Sequence, residues 1–194
     1  MFCYDIESMG IESTSVILSA ALVYVDHTRN DNTWESIYEN TLFLKFSVRD
    51  QIENYGRTID KRTVAWWNKQ CSLAKETSFL PKKGDLLAKD AVACFRNYIN
   101  SQTKRPKEEI VWVRGSLDQT CTDSLFLAME EELLFPYSNY RDVRTALDFI
   151  ATNTKHGYCE ISDEYPGIWD RNVVVKHRPQ DDVVLDSLMI LYPS

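Results

Sequence analysis

The sequence contains no stretch of about 18 or more apolar residues, and its N-terminus lacks the basic-then-apolar pattern of a secretory signal. We therefore expect a soluble, cytoplasmic protein with no membrane partner. Its five cysteines are scattered and form no CxxC pair, which argues against a disulfide framework and a zinc knuckle. Internal repeats and low-complexity tracts are also missing. With 194 residues and 44% hydrophobic content, the chain is predicted to form a single domain over 1–194.

Positive charge is in short supply, since the formal net charge is −7. Proteins that hold a long nucleic-acid duplex normally neutralise many phosphates with Lys and Arg, so this charge argues against that class. A short binding site stays compatible with the charge, because bound divalent ions can offset the phosphates of a few terminal nucleotides. The acidity therefore favours an enzyme that acts on the end of a strand.

The order of the predicted elements indicates an α/β (α+β) fold, with a mixed central sheet of about five strands flanked by helices. Strands come first and are later interleaved with helices. The strands are predicted around Asp5 and at 15–25, 41–46, 110–113 and 173–175. The helices are predicted at 60–70, 85–100, 119–134 and 141–152, with a last helix beginning at Pro179.

Two acidic signals lie near opposite ends of the chain. Asp5 and Glu7 are two residues apart in a predicted strand, so their side chains should lie on the same face. Near the other end, His177 precedes Pro179, a residue type favoured in the first turn of a helix. Asp182 then falls in the first turns of that helix, close to His177. Together the two signals suggest a nuclease that uses two metal ions.

Phosphodiester hydrolysis by two metals needs carboxylates from separate elements, so that one cation activates water while the other stabilises the leaving oxygen. Asp118 is the best candidate for a further acid, because it follows the strand at 110–113 and precedes a helix. Clustered carboxylates raise one another's pKa, so we expect activity to depend absolutely on metal. His177 is the expected general base, since histidine side chains titrate near neutrality and can take a proton from water.

The ordered set Asp5-x-Glu7, Asp118, His177 and Asp182 resembles the DEDDh branch of the DnaQ-like 3'-to-5' exonucleases. Segments 63–70 and 141–145 are similar to the subgroup that contains the T-even phage exonuclease and a mycobacterial exoribonuclease. The resemblance implies a ribonuclease-H-like fold and two Mg or Mn ions. It also implies release of 5'-mononucleotides from single-stranded RNA or DNA 3' ends, with RNA slightly preferred, and a possible homodimer.

The resemblance also assigns roles to individual residues. The metal ligands would be Asp5, Glu7, Asp118 and Asp182, the base would be His177, and the terminal nucleotide would meet Ser8, Met9 and Gly10. Met9 is expected to lie against a base. The residue before the second acid is often aromatic in this family, but here it is Leu117. Asp123, five positions after Asp118, therefore competes for that role.

Adjacent tryptophans on one predicted helix cannot both face the core, because neighbouring side chains diverge by about 100°. Val64 and Trp67 share a face, so Trp67 is expected in the core and Trp66 is free to stack on a base or meet a partner. The alternative is that both fill a hydrophobic seam. Cations that can contact phosphate, or simply be solvated, are Lys61, Arg62, Lys69, Lys104, Arg105 and Lys107.

Two further acids and two histidines are expected to lie outside the chemistry. Asp142 is interpreted as a structural acid paired with a neighbouring arginine, Arg141 or Arg144. Asp186, one turn after Asp182, is expected on exposed helix surface rather than in the site. The expected surface histidines are His27 and His156.

Three rival functions stay open from the sequence. A DNA-specific exonuclease is one, since nothing in the sequence identifies a reader of the 2'-hydroxyl. A catalytically silent nucleic-acid-binding module with the same fold is the second, although intact candidates at every catalytic position argue against it. An enzyme that trims small signalling oligonucleotides is the third.

Overall fold

A five-stranded sheet forms the centre of the computed structural model, which describes residues 1–194. The strands are β1 (Phe2–Ser8), β2 (Ile17–Tyr24), β3 (Leu42–Lys45), β4 (Val111–Val113) and β5 (Tyr140–Asp142). Their order across the sheet is β3-β2-β1-β4-β5. The first three strands pair antiparallel, whereas β4 and β5 run parallel to β1. This mixed sheet, flanked by helices, confirms the predicted α/β, ribonuclease-H-like architecture.

Eight α-helices surround the sheet. They are α1 (Trp34–Glu39), α2 (Val48–Tyr55), α3 (Lys61–Trp67), α4 (Ser72–Ala74), α5 (Ala88–Gln102), α6 (Leu117–Ala128), α7 (Val143–Ile150) and α8 (Pro179–Leu191). A π-helical turn, Lys75–Phe79, continues α4. None of the helices is long and apolar enough to cross a membrane.

The alternation of side chains along β1 divides the core into two layers. Phe2 and Tyr4 point into the larger cluster, which also contains Phe95 of α5. Cys3 points the other way, into a cluster that includes Val184 and other residues of α8. Because side chains two residues apart share a face, Asp5 and Glu7 follow Cys3 onto the side of the sheet covered by α8.

The fifth strand is not where the sequence predicts it. Residues 173–175 form no strand, since a 3-10 turn occupies Arg171–Val173 and the Val175 N–H donates to Asp181 Oδ2 at 2.7 Å. The strand is instead Tyr140–Asp142, which lies partly in the segment predicted as helix and pairs with β4. A three-residue edge strand has too few residues to show a period of two, so its pairing with β4 decides its structure.

Helix bounds also differ from the sequence prediction near two candidate residues. The helix predicted at 119–134 begins at Leu117 and ends at Ala128, which places Asp118 in its first turn. The helix predicted at 60–70 follows Asp60, whose side chain accepts the Arg62 N–H, and ends at Trp67. The short helices α1 and α2 have no counterpart in the sequence prediction.

Asp142 is a structural acid, as predicted, but its partners are not arginines. It caps α7, accepting the Thr145 N–H at 2.8 Å and the Thr145 hydroxyl at 2.6 Å through Oδ2. Its Oδ1 accepts the Gly115 N–H at 2.7 Å. Partial burial alone would raise the pKa of the Asp142 carboxyl, but these hydrogen bonds bring it below its ordinary value. Asp142 therefore connects α7 to the turn that precedes Asp118.

Replacing Asp142 with alanine should lower the free energy of unfolding by about 1–2 kcal/mol at neutral pH, the usual cost of losing such a cap. The pKa of the carboxyl is depressed in the fold, so its contribution is present above the ordinary pKa and is lost as the pH falls through the folded value. Urea unfolding followed by circular dichroism should show the difference at pH 7 and its narrowing in acid. Asp142→Asn, which keeps a capping oxygen, is the control and should lose less.

Candidate active site

Three carboxylates from two elements converge at the carboxyl end of β1. Asp5 and Glu7 come from β1 and Asp182 from the first turn of α8, and one oxygen of each lies within 4.8 Å of the others. All three residues are half-buried. Asp5 Oδ2 is buried and has no hydrogen-bond partner. The prediction that Asp5 and Glu7 point to the same face, with Asp182 as a further acid of the site, agrees with this geometry.

The electrostatics of this acid triad are unfavourable without a cation. Burial, together with the charges of Asp118 and Asp182, raises the pKa of Asp5 well above its ordinary value. Burial and then the charge of Glu7 do the same to the pKa of Asp182. Burial raises the pKa of Glu7, and the contact with His177 offsets part of this rise. The three carboxylates offer hard oxygen donors, and the Asp5 oxygen among them has no hydrogen-bond partner. This arrangement suits a divalent cation, whose charge would offset the repulsion.

Asp118 lies beside the triad but is held by the backbone. Its side chain accepts the N–H of Ile6 at 3.4 Å and that of Arg114 at 3.3 Å. Burial is the main reason that the pKa of Asp118 is raised to about 8. Asp123, the alternative candidate, instead accepts from the Gln119 amide at 3.3 Å. Because Asp118 accepts the N–H of Ile6, the residue between Asp5 and Glu7, the geometry favours Asp118 over Asp123 as the fourth acid.

His177 faces the triad from a strained backbone position. Its φ is 64°, which is unusual for a residue other than glycine and marks a conformation imposed by its surroundings. The His177 N–H donates to Asp182 Oδ2 at 3.1 Å, and its carbonyl accepts the Ser78 hydroxyl at 3.3 Å. The ring Nδ1 lies 3.5 Å from Glu7 Oε1, and 35% of the side chain is exposed. The ring is therefore close to the acids and also open to solvent.

Asp186 is buried, so the expectation that it lies on exposed helix surface is wrong. It is only 6% exposed, and it pairs with Arg114, whose Nε lies 3.1 Å from both carboxylate oxygens. The Arg114 guanidinium also lies 4.0 Å above the ring of Tyr158. Arg114 is not among the predicted site residues, although its position directly after a buried strand and four residues before Asp118 was a usable signal. This ion pair lies one turn beyond Asp182.

A pocket of about 450 Å³ opens next to the triad. It is lined by Ile6, Glu7, Ser8, Gly10, Ile11, Asp60, Arg62, Thr63, Trp66 and Leu117. Ser8 and Gly10 are joined by a hydrogen bond of 2.7 Å from the Ser8 hydroxyl to the Gly10 carbonyl. A Cβ at Gly10 would collide with the hydroxyl oxygen of Ser15, so a side chain at this position would displace Ser15. We call this cavity the first pocket.

Met9 does not line the first pocket, contrary to the expectation that it lies against a base. Its side chain is buried in a cluster with Val16, Leu18 and Trp67. The reason is an irregularity in the pairing of β1 with β2 between Glu7 and Ser8, which breaks the alternation of side chains. Met9 therefore supports the pocket from beneath.

The two adjacent tryptophans lie in different environments, as predicted: one is in the core and the other is exposed. Trp67 is fully buried, donates from Nε1 to the Ser8 carbonyl at 3.0 Å and stacks on Phe79 at a centroid distance of 5.5 Å. Trp66 is 41% exposed, and its ring centroid lies 4.7 Å from that of His177. Trp66 thus presents an aromatic surface between the first pocket and His177.

The basic residues named from the sequence are not all near the triad. On α3, Lys61 and Lys69 are exposed, and Arg62 lines the first pocket while pairing with Asp60 at 3.0 Å. The cations of 104–107 precede β4, whose Val111 is the partner of Phe2 at the start of β1. They therefore lie toward the opposite end of the sheet from the acids, which excludes them as phosphate contacts at the site. His27 and His156 are exposed, as predicted.

Among curated proteins, none matches the chain. The family model of the Rv2179c-like 3'-5' exoribonuclease domain, in contrast, matches residues 1–166. The matched range contains Asp5, Glu7 and Asp118 and ends before His177. The predicted 3'-to-5' exonuclease is thereby confirmed at the level of the family. The chain belongs to the Rv2179c-like 3'-5' exoribonuclease domain family, and it is an exonuclease whose substrate is nucleic acid.

Proposed function

We propose that the protein is a metal-dependent exoribonuclease of the DEDDh type, which releases 5'-mononucleotides from single-stranded 3' ends. The observation that carries this proposal is that one oxygen each of Asp5, Glu7 and Asp182 lies within 4.8 Å of the others, while Asp5 Oδ2 is buried without a hydrogen-bond partner. The family name supports RNA as the preferred strand. The DEDDh assignment, the closeness to the phage enzyme, the homodimer and the cytoplasmic location stay predictions.

The residues that would hold two Mg or Mn ions are Asp5, Glu7, Asp118 and Asp182. When bound, such ions supply charge stabilisation at the phosphate and lower the pKa of water. Two of these acids are already held in position, because backbone N–H groups donate to their carboxylates. Asp118 is held by Ile6 and Arg114, and Asp182 by His177.

His177 moves the proton in the proposed reaction. Its ring accepts a proton from the attacking water, the water oxygen bonds to phosphorus, and the bond from phosphorus to the 3'-oxygen of the preceding nucleotide breaks. That 3'-oxygen takes a proton from solvent and leaves as the new 3'-hydroxyl of the shortened strand. Glu7 Oε1, 3.5 Å from Nδ1, orients the ring, and the edge of Trp66 limits its rotation. Since 35% of the side chain is exposed, the proton can then pass to solvent.

The first pocket receives the terminal nucleotide in this proposal. Ser8 and Gly10 allow close approach of a ribose, since Gly10 has no side chain and the Ser8 hydroxyl is turned to the Gly10 carbonyl. The exposed face of Trp66 is available to stack on the base. Binding by stacking tolerates every base, which suits an enzyme that removes one nucleotide after another.

The proposed activity predicts a ladder that shortens from the 3' end when 5'-labelled single-stranded RNA is incubated with the protein in Mn or Mg, and no cleavage in EDTA. His177→Ala should lower kcat by roughly 10²–10⁴-fold, the usual contribution of a general base. Asp182→Asn should give no ladder, because the triad then has one carboxylate fewer. A matched DNA strand should be cut more slowly.

Asp163→Asn is the control for this experiment, because it makes the same charge change at an exposed acid in a loop outside the site. It should cut as the wild type does. Intact 3' ends in Mn and in Mg would refute the proposal. Equal loss of activity in Asp163→Asn and Asp182→Asn would show that overall charge, rather than the triad, limits the rate.

Metal binding should also be visible without any substrate. A cation at 100 times its dissociation constant stabilises the fold by about 2.7 kcal/mol, which corresponds to a rise in Tm of about 5–10 °C for a chain of this size. We expect Mn to give such a rise in the wild type and in Asp163→Asn, measured by differential scanning fluorimetry. Asp5→Asn should respond little. An equal response in all three proteins would place the ions elsewhere.

Substitutions at the two tryptophans should separate an effect on substrate binding from an effect on stability. Trp66→Ala is expected to raise KM by about 10-fold with little change in stability, because a base stacked on an aromatic ring contributes about 1–3 kcal/mol. Trp66→Phe should recover most of the loss. Trp67→Ala should instead lower the free energy of unfolding by about 3–5 kcal/mol, because it empties a buried position. Steady-state kinetics and urea unfolding of the three variants test this division.

A further inference from the structure

A second cavity, of about 550 Å³, lies beside the segment that carries His177. One wall is formed by residues of 153–160 and the other by residues of 171–176, with Leu185 of α8 beneath. Lys176 belongs to this wall and directly precedes His177, while Leu185 follows Asp182 by less than one turn. We call this cavity the second pocket. It shares no lining residue with the first pocket.

The rim of the second pocket carries positive charge that no acid neutralises. Arg171 is paired with Glu160 at 2.6 Å, but the ammonium groups of Lys155 and Lys176 take part in no ion pair. Both lysines are exposed. In a chain with a net charge of −7, two unpaired cations on one rim make a local site for an anion.

The floor of the second pocket is apolar. From one of its walls, a series of side-chain contacts leads toward the helix that carries Asp182. Cys159 and Leu185 are buried beneath it, and the ring of Tyr158 forms part of the wall. That ring lies under the guanidinium of Arg114, whose ion pair with Asp186 is one turn from Asp182. A cavity with a cationic rim and an apolar floor suits a nucleotide, which has a phosphate and a flat base.

We propose that the second pocket binds a nucleotide of the substrate strand on the 5' side of the scissile phosphate. The phosphate of that nucleotide lies between Lys155 and Lys176, and its base or ribose lies on the floor formed with Leu185. This inference rests on the proposed function. With the terminal nucleotide in the first pocket and the scissile phosphate at the triad, the rest of the strand leaves past His177 and Lys176. The enzyme therefore favours strands long enough to reach this cavity.

The test combines a binding measurement with a cleavage measurement on the full chain. Fluorescence anisotropy in EDTA measures binding of a 5'-labelled RNA heptanucleotide at several KCl concentrations, so that it does not depend on cleavage. Lys155→Gln/Lys176→Gln should bind about 10-fold more weakly. The slope of log K against log [KCl] should fall by about 0.7 for each phosphate that the variant no longer neutralises. Lys104→Gln/Lys107→Gln, which removes the same charge at the far end of the sheet, should bind as the wild type does.

In the cleavage measurement, the ratio of kcat/KM for the heptanucleotide to that for a dinucleotide should be large in the wild type and in the control. The Lys155→Gln/Lys176→Gln variant should reduce this ratio about 10-fold, in line with its weaker binding. Equal binding and equal ratios in both double variants would overturn the second pocket as a subsite. A wild type that binds the heptanucleotide through these lysines but cuts nothing would instead refute the proposed function and leave the subsite standing.

Discussion

Repulsion among carboxylates is the constraint on which the rest of the site depends. The fold brings Asp5 and Glu7 of β1 against Asp182 of α8, and burial raises the pKa of all three. The largely buried side chain of Arg114 is committed to an ion pair with Asp186. Apart from His177, whose Nδ1 lies 3.5 Å from Glu7 Oε1, no cationic side chain pairs with the triad. Such a cluster is stable only if protons or cations are bound, which explains why so acidic a centre belongs in an enzyme expected to work with divalent ions.

Backbone groups, rather than side-chain cations, hold the acids in place. Asp118 and Asp182 each lie in the first turn of a helix, where the helix dipole favours negative charge. Asp118 joins β1 to the residue that follows β4 by accepting two backbone N–H groups, and Asp182 fixes His177 by accepting its N–H. Neutral donors of this kind position a carboxylate without cancelling its charge. The acids consequently keep their capacity to bind cations while their geometry is set before any ion arrives.

The sequence predicts the parts of the site that depend on local periodicity. The period of two in β1 placed Asp5 and Glu7 on one face, and Pro179 marked the start of the helix that carries Asp182. Contacts between distant segments decide the parts that were wrong. The irregularity after Glu7 turns Met9 into the core, and pairing with β4 makes 140–142 a strand. Asp186 lies on a helix buried on nearly every side, so an acid there needed a partner, and contact with a segment 72 residues earlier supplies it in Arg114.

The uneven distribution of charge reconciles a net charge of −7 with a polyanionic substrate. Acids are concentrated where cations would bind, whereas two unpaired lysines lie on the rim of the second pocket, one of them directly before His177. A strand approaching this surface meets lysines along its 5' side and would meet metal ions only at the bond to be broken. Affinity would then come from a few contacts near the 3' end rather than from a long basic groove, so that the body of the RNA stays free. On the proposed function, this arrangement limits the enzyme to strand ends and lets it release the shortened strand after each cut.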